Sequence, residues 1–399
     1  MSRPQVRERP RRILPVIIAS QFAGASLWFA GNAVLADLQR EWGLPAEALG
    51  YTTSAVQLGF IAGTLAFAFF AVADRYSPRL VFFLCTLAGA AANAALLAAA
   101  PSLASLLVLR FATGFFLAGI YPVGMKIASG WFQRDLGNAL GFLVGALVAG
   151  TGFPHLVRGL GESLPWQGVL LAASGVAALG GLAMLLLVPD GPHLAKGARF
   201  DPRALAAVFR VRAFRASAFG YFGHMWELYA FWAFAPWLLA AHAPGDALQV
   251  PLWSFAVIAA GSLGCVLGGL ASLRLGSARV AFAQLSASGL CCLASPLAFY
   301  APTPLFLAFL LFWGVVVVGD SPQFSALNAQ SAPRERVGSA LTIANCIGFG
   351  ITIFSIELLN AASGRIAPQW LFLLLAPGPV LGLLALRPLL QRAPARAAP

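Results

Sequence analysis

Charge is what this sequence has least of. Asp, Glu, Lys and Arg make up 10% of its 399 residues, against 59% hydrophobic residues and a mean hydropathy of +0.81. An ordinary soluble domain carries about 25% charge and about 45–50% apolar residues. A single soluble core stops growing near about 250–300 residues. Soluble enzymes and disordered proteins are thereby excluded. Cysteine is also sparse. The five present, Cys85, Cys265, Cys291, Cys292 and Cys346, sit in apolar runs with no CxxC pair. A disulfide framework needs ordered spacings in a small secreted chain, so these thiols read as small hydrophobes. Four histidines and four methionines are too scattered for a transition-metal path. No P-loop, HExxH helix or GxSxG elbow occurs, so nucleotide-driven work is not expected. No cofactor, no metal and no enzymatic activity are expected.

What the chain has instead is long apolar runs. A bilayer core takes about 20 apolar residues per helical span. Twelve runs qualify: 13–36, 47–73, 80–100, 103–127, 137–158, 166–188, 213–241, 251–273, 280–300, 304–329, 338–360 and 369–390. Tight breaks such as Pro101-Ser102 fit antiparallel helix hairpins. The first run follows five arginines, as a signal peptide would, but a signal h-region is about 7–15 residues. It is expected to stay as the first transmembrane helix.

The basic residues describe orientation. With the N-terminus inside, 22 of the 26 Lys and Arg fall in inner segments and three, Arg40, Arg158 and Arg365, fall outside. Excess Lys and Arg in cytoplasmic loops sets topology. Both termini are expected in the cytoplasm, across the inner membrane of the cell. The net charge of +12 is therefore a topology signal, and no nucleic-acid partner is expected. The longest polar stretch, 189–212, separates residues 1–188 from 213–399 as a cytoplasmic linker. Its Ala204–Phe209 portion fits either a short helix on the inner leaflet or a flexible connection.

A repeat flanks that linker. At an offset of 200, Ser77 and Arg79 match Ser277 and Arg279, while Gly114, Gly119 and Pro122 match Gly314, Gly319 and Pro322. Parallel six-helix repeats are an architecture of secondary transporters. After span two, Asp74, Arg75 and Arg79 match the inner-loop motif G-x-x-x-D-R-x-G-R-[KR], with Phe70 and Ser77 in place of its glycines and Pro78 in place of an arginine. In span four, Arg110-Phe-Ala-Thr-Gly114 matches R-x-x-x-G, and span five carries a glycine series. On these motifs the chain resembles the major facilitator superfamily. The resemblance implies an all-α membrane protein of twelve transmembrane helices in two pseudo-symmetric bundles. It implies an inner gate at Asp74, Arg75 and Arg79. For Arg110 it implies proton coupling or conformational switching.

Ionisable residues at membrane depth are costly and mark functional sites. His224 and Glu227, three apart in span seven, share a helix face; an imidazole beside a carboxylate can carry a proton near neutral pH. Asp320 precedes Pro322 in span ten, where the missing backbone donor frees a carbonyl. Arg110 must pair with a carboxylate or with carbonyls, or else bind an anionic substrate. His155 and Glu357, near the outer ends of their spans, are expected to reach the interface. His224, Glu227, Asp320 and Arg110 are the expected proton-coupling residues. Arg110, Asn32, Gln57, Tyr121, Trp226, Tyr229 and Gln323 are the expected substrate contacts.

These features point to a monomeric secondary transporter in the lipid bilayer, moving a small-molecule substrate with protons by alternating access. A small organic anion or metabolite is one substrate class. Proton-driven efflux of amphiphilic or cationic compounds is another. A non-transporting receptor or assembly factor on the same scaffold is a reading of a different kind, and the short loops argue against it.

Overall fold

The computed structural model describes residues 10–132, 136–161, 164–194, 201–202, 204–243 and 248–390. Both chain ends, Arg134 and most of the linker's basic residues lie outside the described residues. Ten helices are long and apolar enough to cross a membrane: Ala48–Phe69, Pro78–Ala98, Leu103–Trp131, Asn138–Leu160, Trp166–Leu187, Val250–Leu275, Ser277–Phe299, Thr303–Ser331, Val337–Ser363 and Pro368–Leu390. These are spans two to six and eight to twelve. Span seven is the 31-residue helix Arg212–His242, whose His, Glu, Tyr and Trp content lowers its hydropathy without shortening it. Span one begins with the helix Ile13–Ala25 and completes the twelve. With an even number of spans, Ile13 and Leu390 lie on one side of the membrane, called here the terminus side. The opposite face is the far side.

Span one is not continuous. Its helix stops at Ala25, and after Ser26–Phe29 come the short helices Ala30–Ala33 and Leu35–Trp42. No proline or glycine lies between Ser26 and Phe29, so the break has a tertiary cause, found below. Spans four and ten break in register. Span four divides into Leu103–Leu117 and Tyr121–Trp131, and span ten into Thr303–Gly319 and Ser321–Ser331. Pro122 and Pro322 stand in the first turn after each break, where a missing N–H is tolerated. The Val318 carbonyl that Pro322 leaves without a donor accepts the Cys265 thiol at 3.5 Å.

The repeat has a packing counterpart. A Cβ on Gly114 would meet the carbonyl of Val56, and one on Gly314 the carbonyl of Val257. Spans two and four thus approach through the same small residue as spans eight and ten. Small residues let helix backbones close up in lipid. Across the bundles, Gly141, Gly145 and Gly152 of span five turn one face to span eight. There Ser262 Oγ donates to the Gly145 carbonyl at 2.7 Å. All five cysteines are free. The linker helix Ala204–Arg210 packs on spans seven and eleven, with Val208 fully buried.

Candidate functional site

Four rings meet at mid-depth between the bundles. Trp28, from the break in span one, stacks on Tyr229 of span seven at 5.5 Å and on Phe349 of span eleven at 5.7 Å. Phe60 of span two closes the group, 5.0 Å from Trp28 and 4.4 Å from Phe349. Trp28 is 1% exposed. Each such ring pair adds about 0.5–1.5 kcal/mol beyond burial.

On the terminus side of these rings lies a cavity holding about 420 Å³ of non-atom space, its open side included. Tyr121, Tyr221, Tyr229, Trp232 and Phe349 supply its rings. Ser321, Ser325 and Asn345 supply polar groups, and Val144, Leu147, Met225, Leu228 and Val318 the apolar remainder. Tyr221 Oη donates to Asn345 Oδ1 at 3.3 Å. The wall draws on spans four, five, seven, ten and eleven, so it changes shape if the bundles move relative to each other.

Beside the cavity, Nδ1 of His224 lies 2.8 Å from Oδ1 of Asp320, with both side chains 1% exposed. The contact lies off the hydrogen-bonding axis. Neither the other ring nitrogen nor the other carboxylate oxygen has a protein partner among the described residues. The kink before Pro322 aims Asp320 at span seven, and Ser321, the next residue, lines the cavity. Phe324 and Tyr221 cover the imidazole, at ring separations of 5.8 and 6.0 Å.

This arrangement corrects the expectation that His224 pairs with Glu227. Three residues along a helix turn about 300°, so the two side chains diverge by about 60°, and each meets a different neighbour. Glu227 turns to spans nine and ten, where its Oε1 accepts from Ser288 Oγ at 2.5 Å, Trp313 Nε1 at 2.6 Å and Cys292 Sγ at 3.4 Å. It is a buried carboxyl inside the second bundle, outside the cavity wall.

Arg110 explains the break in span one. It is fully buried. Its Nη2 donates to the carbonyls of Leu27 (3.1 Å) and Trp28, and its Nη1 to Asn93 Oδ1 at 3.1 Å. The unwound residues expose carbonyls that an intact helix would use internally, and the guanidinium fork collects them. Gly31 makes room, since a Cβ there would lie 2.9 Å from Arg110 Cδ. Asn93 is held in turn by Ser174 Oγ at 3.0 Å and the Leu170 carbonyl at 3.2 Å. Arg110 therefore neither lines the cavity nor pairs with Asp320, and the anionic-substrate reading loses its anchor.

Towards the far side, Ser54 of span two donates to Glu357 of span eleven at 2.6 Å. Asn360 donates to the Glu47 carbonyl at 3.0 Å and to Glu357 at 3.3 Å. Glu357 was expected at the interface but joins the bundles. His155, expected there too, is 4% exposed, and its Nε2 has no protein partner among the described residues. On the terminus side, Asp74 pairs with Lys126 of span four, whose Nζ also donates to the Ala73 carbonyl at 2.7 Å. Arg79 reaches the Leu185 carbonyl at 3.3 Å, and Ser77 donates to Asp190 at 2.9 Å. Arg75 is exposed. Lys126 and Asp190 carried no signal marking them as these partners.

Of the expected substrate contacts, Tyr121 and Tyr229 line the cavity. Asn32 donates to Thr53 Oγ1 at 2.7 Å within the first bundle, and Trp226 to the Leu374 carbonyl at 3.1 Å. Gln57 is fully buried, and neither of its amide atoms has a protein partner among the described residues; Gln323 is 3% exposed outside the wall. The sequence reading passed over Tyr221, Trp232 and Ser325 as site residues. Their one signal was position, a helical turn from His224, from Tyr229 and from Ser321.

The profile of the Major Facilitator Superfamily matches residues 16–356. A D-galactonate transporter of Escherichia coli O6:H1 is 27% identical over 164 residues, 41% of this chain and 37% of that one. The chain thus spans well under half of that relative's length. Among solved structures, the human organic anion transporter MFSD10 superposes with a TM-score of 0.69 at 16% identity, over 95% of this chain and 100% of that one. The Escherichia coli fucose:proton symporter FucP does so with a TM-score of 0.63 at 15% identity, over 95% and 98%. Twelve spans, register-matched breaks in spans four and ten, and a profile match over most of the chain agree: the protein is a multi-pass membrane protein that belongs to the Major Facilitator Superfamily.

Proposed function

We propose that this protein is a secondary active transporter that carries a small solute by alternating access, coupled to protons through His224 and Asp320. One observation carries the reading. The buried His224–Asp320 contact adjoins a cavity walled by both bundles. A proton on that pair belongs to the pair as a unit. Its gain or loss changes the attraction between spans seven and ten, and so the shape of the wall. A ligand moves such an equilibrium only by binding its two states differently, which a wall shared between moving bundles allows.

In this reading residues 1–188 and 213–399 are the two moving bundles and 189–212 joins them. The terminus side faces the cytoplasm of the cell's inner membrane, in accord with the Lys and Arg distribution. The protein works as a monomer. Asp74, with Lys126, Arg75 and Arg79, holds the terminus-side ends of spans two to four in the closed form. The relatives' names span a sugar acid and a sugar:proton symporter, which suits small-solute carriage.

The test uses purified protein in proteoliposomes with an imposed pH gradient, a panel of neutral and charged small solutes that includes D-galactonate, L-fucose and neutral ring compounds, and an internal pH dye. Solute-dependent proton flux is expected, lost in Asp320→Asn and His224→Ala but with solute counterflow retained. The proposal fails if both variants keep proton-driven accumulation of a carried solute, or if no solute of the panel moves under any gradient.

A further inference from the structure

Of the charged side chains at membrane depth near the cavity, Arg110 and Glu227 are turned to other tasks, and His224 and Asp320 lie beside the wall rather than in it. Arg110 holds the carbonyls of Leu27 and Trp28. Glu227 takes its donors from spans nine and ten. His224 and Asp320 face each other. The wall itself contains no Asp, Glu, Lys, Arg or His. A charged solute entering here would give up its water and meet no charged group in the wall, the nearest being His224 and Asp320, which face each other behind it; that is a heavy penalty in a low-dielectric site.

What the wall does offer is π surface and neutral hydrogen-bonding groups. Tyr121, Tyr221, Tyr229 and Trp232 contribute rings. Trp232 is fully buried, and its indole N–H has no acceptor among the described residues. Other buried polar atoms also lack a partner among the described residues, the Trp28 indole N–H and Gln57 among them, but of these residues Trp232 is the one that lines the cavity, and indole can donate but not accept. The missing partner is therefore an acceptor atom, and the surrounding rings suit a flat one.

We infer that the cavity selects an uncharged, flat-ringed solute bearing an acceptor such as an amide carbonyl, which the Trp232 indole N–H binds. This rests on the transporter reading for its direction of use, but the selectivity belongs to the wall. It places both a small anion and a cationic amphiphile outside the preferred class.

The experiment uses two isosteric trios. Benzamide, benzoate and benzamidine share one ring and differ in charge. Indole-3-acetamide, indole-3-acetate and tryptamine do the same on a larger ring. Binding to the purified full chain is measured by equilibrium dialysis, and flux by counterflow in proteoliposomes. The neutral member of at least one trio is expected to bind at least tenfold more tightly than both charged members. Trp232→Phe keeps the ring and removes the N–H, and should weaken that neutral member about fivefold. Tighter binding of a charged member, saturable binding by none of the six, or an unchanged affinity in Trp232→Phe overturns the inference. Neutral selectivity without counterflow leaves the inference standing and sinks the transporter reading. Counterflow that prefers a charged member does the reverse.

Discussion

Trp28 and Tyr229 stack at 5.5 Å with their ring planes 29° apart, one ring from each bundle. The stack closes the cavity towards the far side, and it rests on the unwound part of span one. Trp28→Ala removes one ring from three pairs. Large-to-small changes of buried aromatics cost about 3–5 kcal/mol, and here the loss falls on the contact between bundles. A cysteine at position 325, in the cavity wall and outside the ring group, in a background without the five native cysteines, should then react with an impermeant maleimide added on the far side. With Trp28 present it should be protected. Equal labelling rates would remove the rings from the closure.

The polar contact of Ser54 with Glu357 acts beside them. A hydrogen bond to a charged group contributes about 1.5–3 kcal/mol. Ser54→Ala and Glu357→Ala should therefore be non-additive in a double-mutant cycle on thermal stability in detergent. A coupling energy near zero would show that the two side chains do not hold the bundles together.

Arg110 is expected to tolerate no replacement well. Arg110→Lys keeps the charge but loses the fork, and Arg110→Ala leaves the Leu27 and Trp28 carbonyls without their donor. Each buried acceptor left without its donor costs about 1–3 kcal/mol. Detergent-extracted Arg110→Ala should melt well below the parent, with Arg110→Lys between them. A parent-like melting curve for Arg110→Ala would refute this role.

Glu227→Gln provides the contrast. Its amide oxygen can accept from Ser288 and Trp313 as the carboxylate does. Folding and proton-driven flux are expected to stay close to the parent, because the replacement acceptor keeps both buried donors satisfied. Loss of proton coupling with folding intact would move the titrating group from His224 and Asp320 to Glu227.

Ala71 holds a left-handed backbone, with φ of +49°, just after span two. That region costs a residue with a Cβ about 1–2 kcal/mol and costs glycine almost nothing. Ala71→Gly should raise the melting temperature, with a gain of about 1 kcal/mol. An unchanged or lower melting temperature would show that the loop carries no such strain.

The twelve spans were legible because span length is set by the bilayer and apolar runs are local. The kinks at Pro122 and Pro322 were legible for the same reason: proline writes its effect within one turn. The break in span one was not. Ser26–Phe29 reads as ordinary helix, and what unwinds it is Arg110, more than 80 residues away. The partner of His224 was missed for a related reason. Helical spacing says which residues share a face, but neighbouring spans decide where each side chain ends up.

The repeat relates span one to span seven, yet span seven runs unbroken for 31 residues while span one is interrupted beside Trp28. The two copies are therefore alike in topology and unlike in continuity. Any movement that withdraws Trp28 from its ring partners strains the bonds at Arg110, a residue outside the cavity wall. Lesions at position 110 will imitate damage to the binding site in uptake assays, though equilibrium binding of solute survives. Screens that score uptake alone will map the wrong residue as the one that reads the cargo.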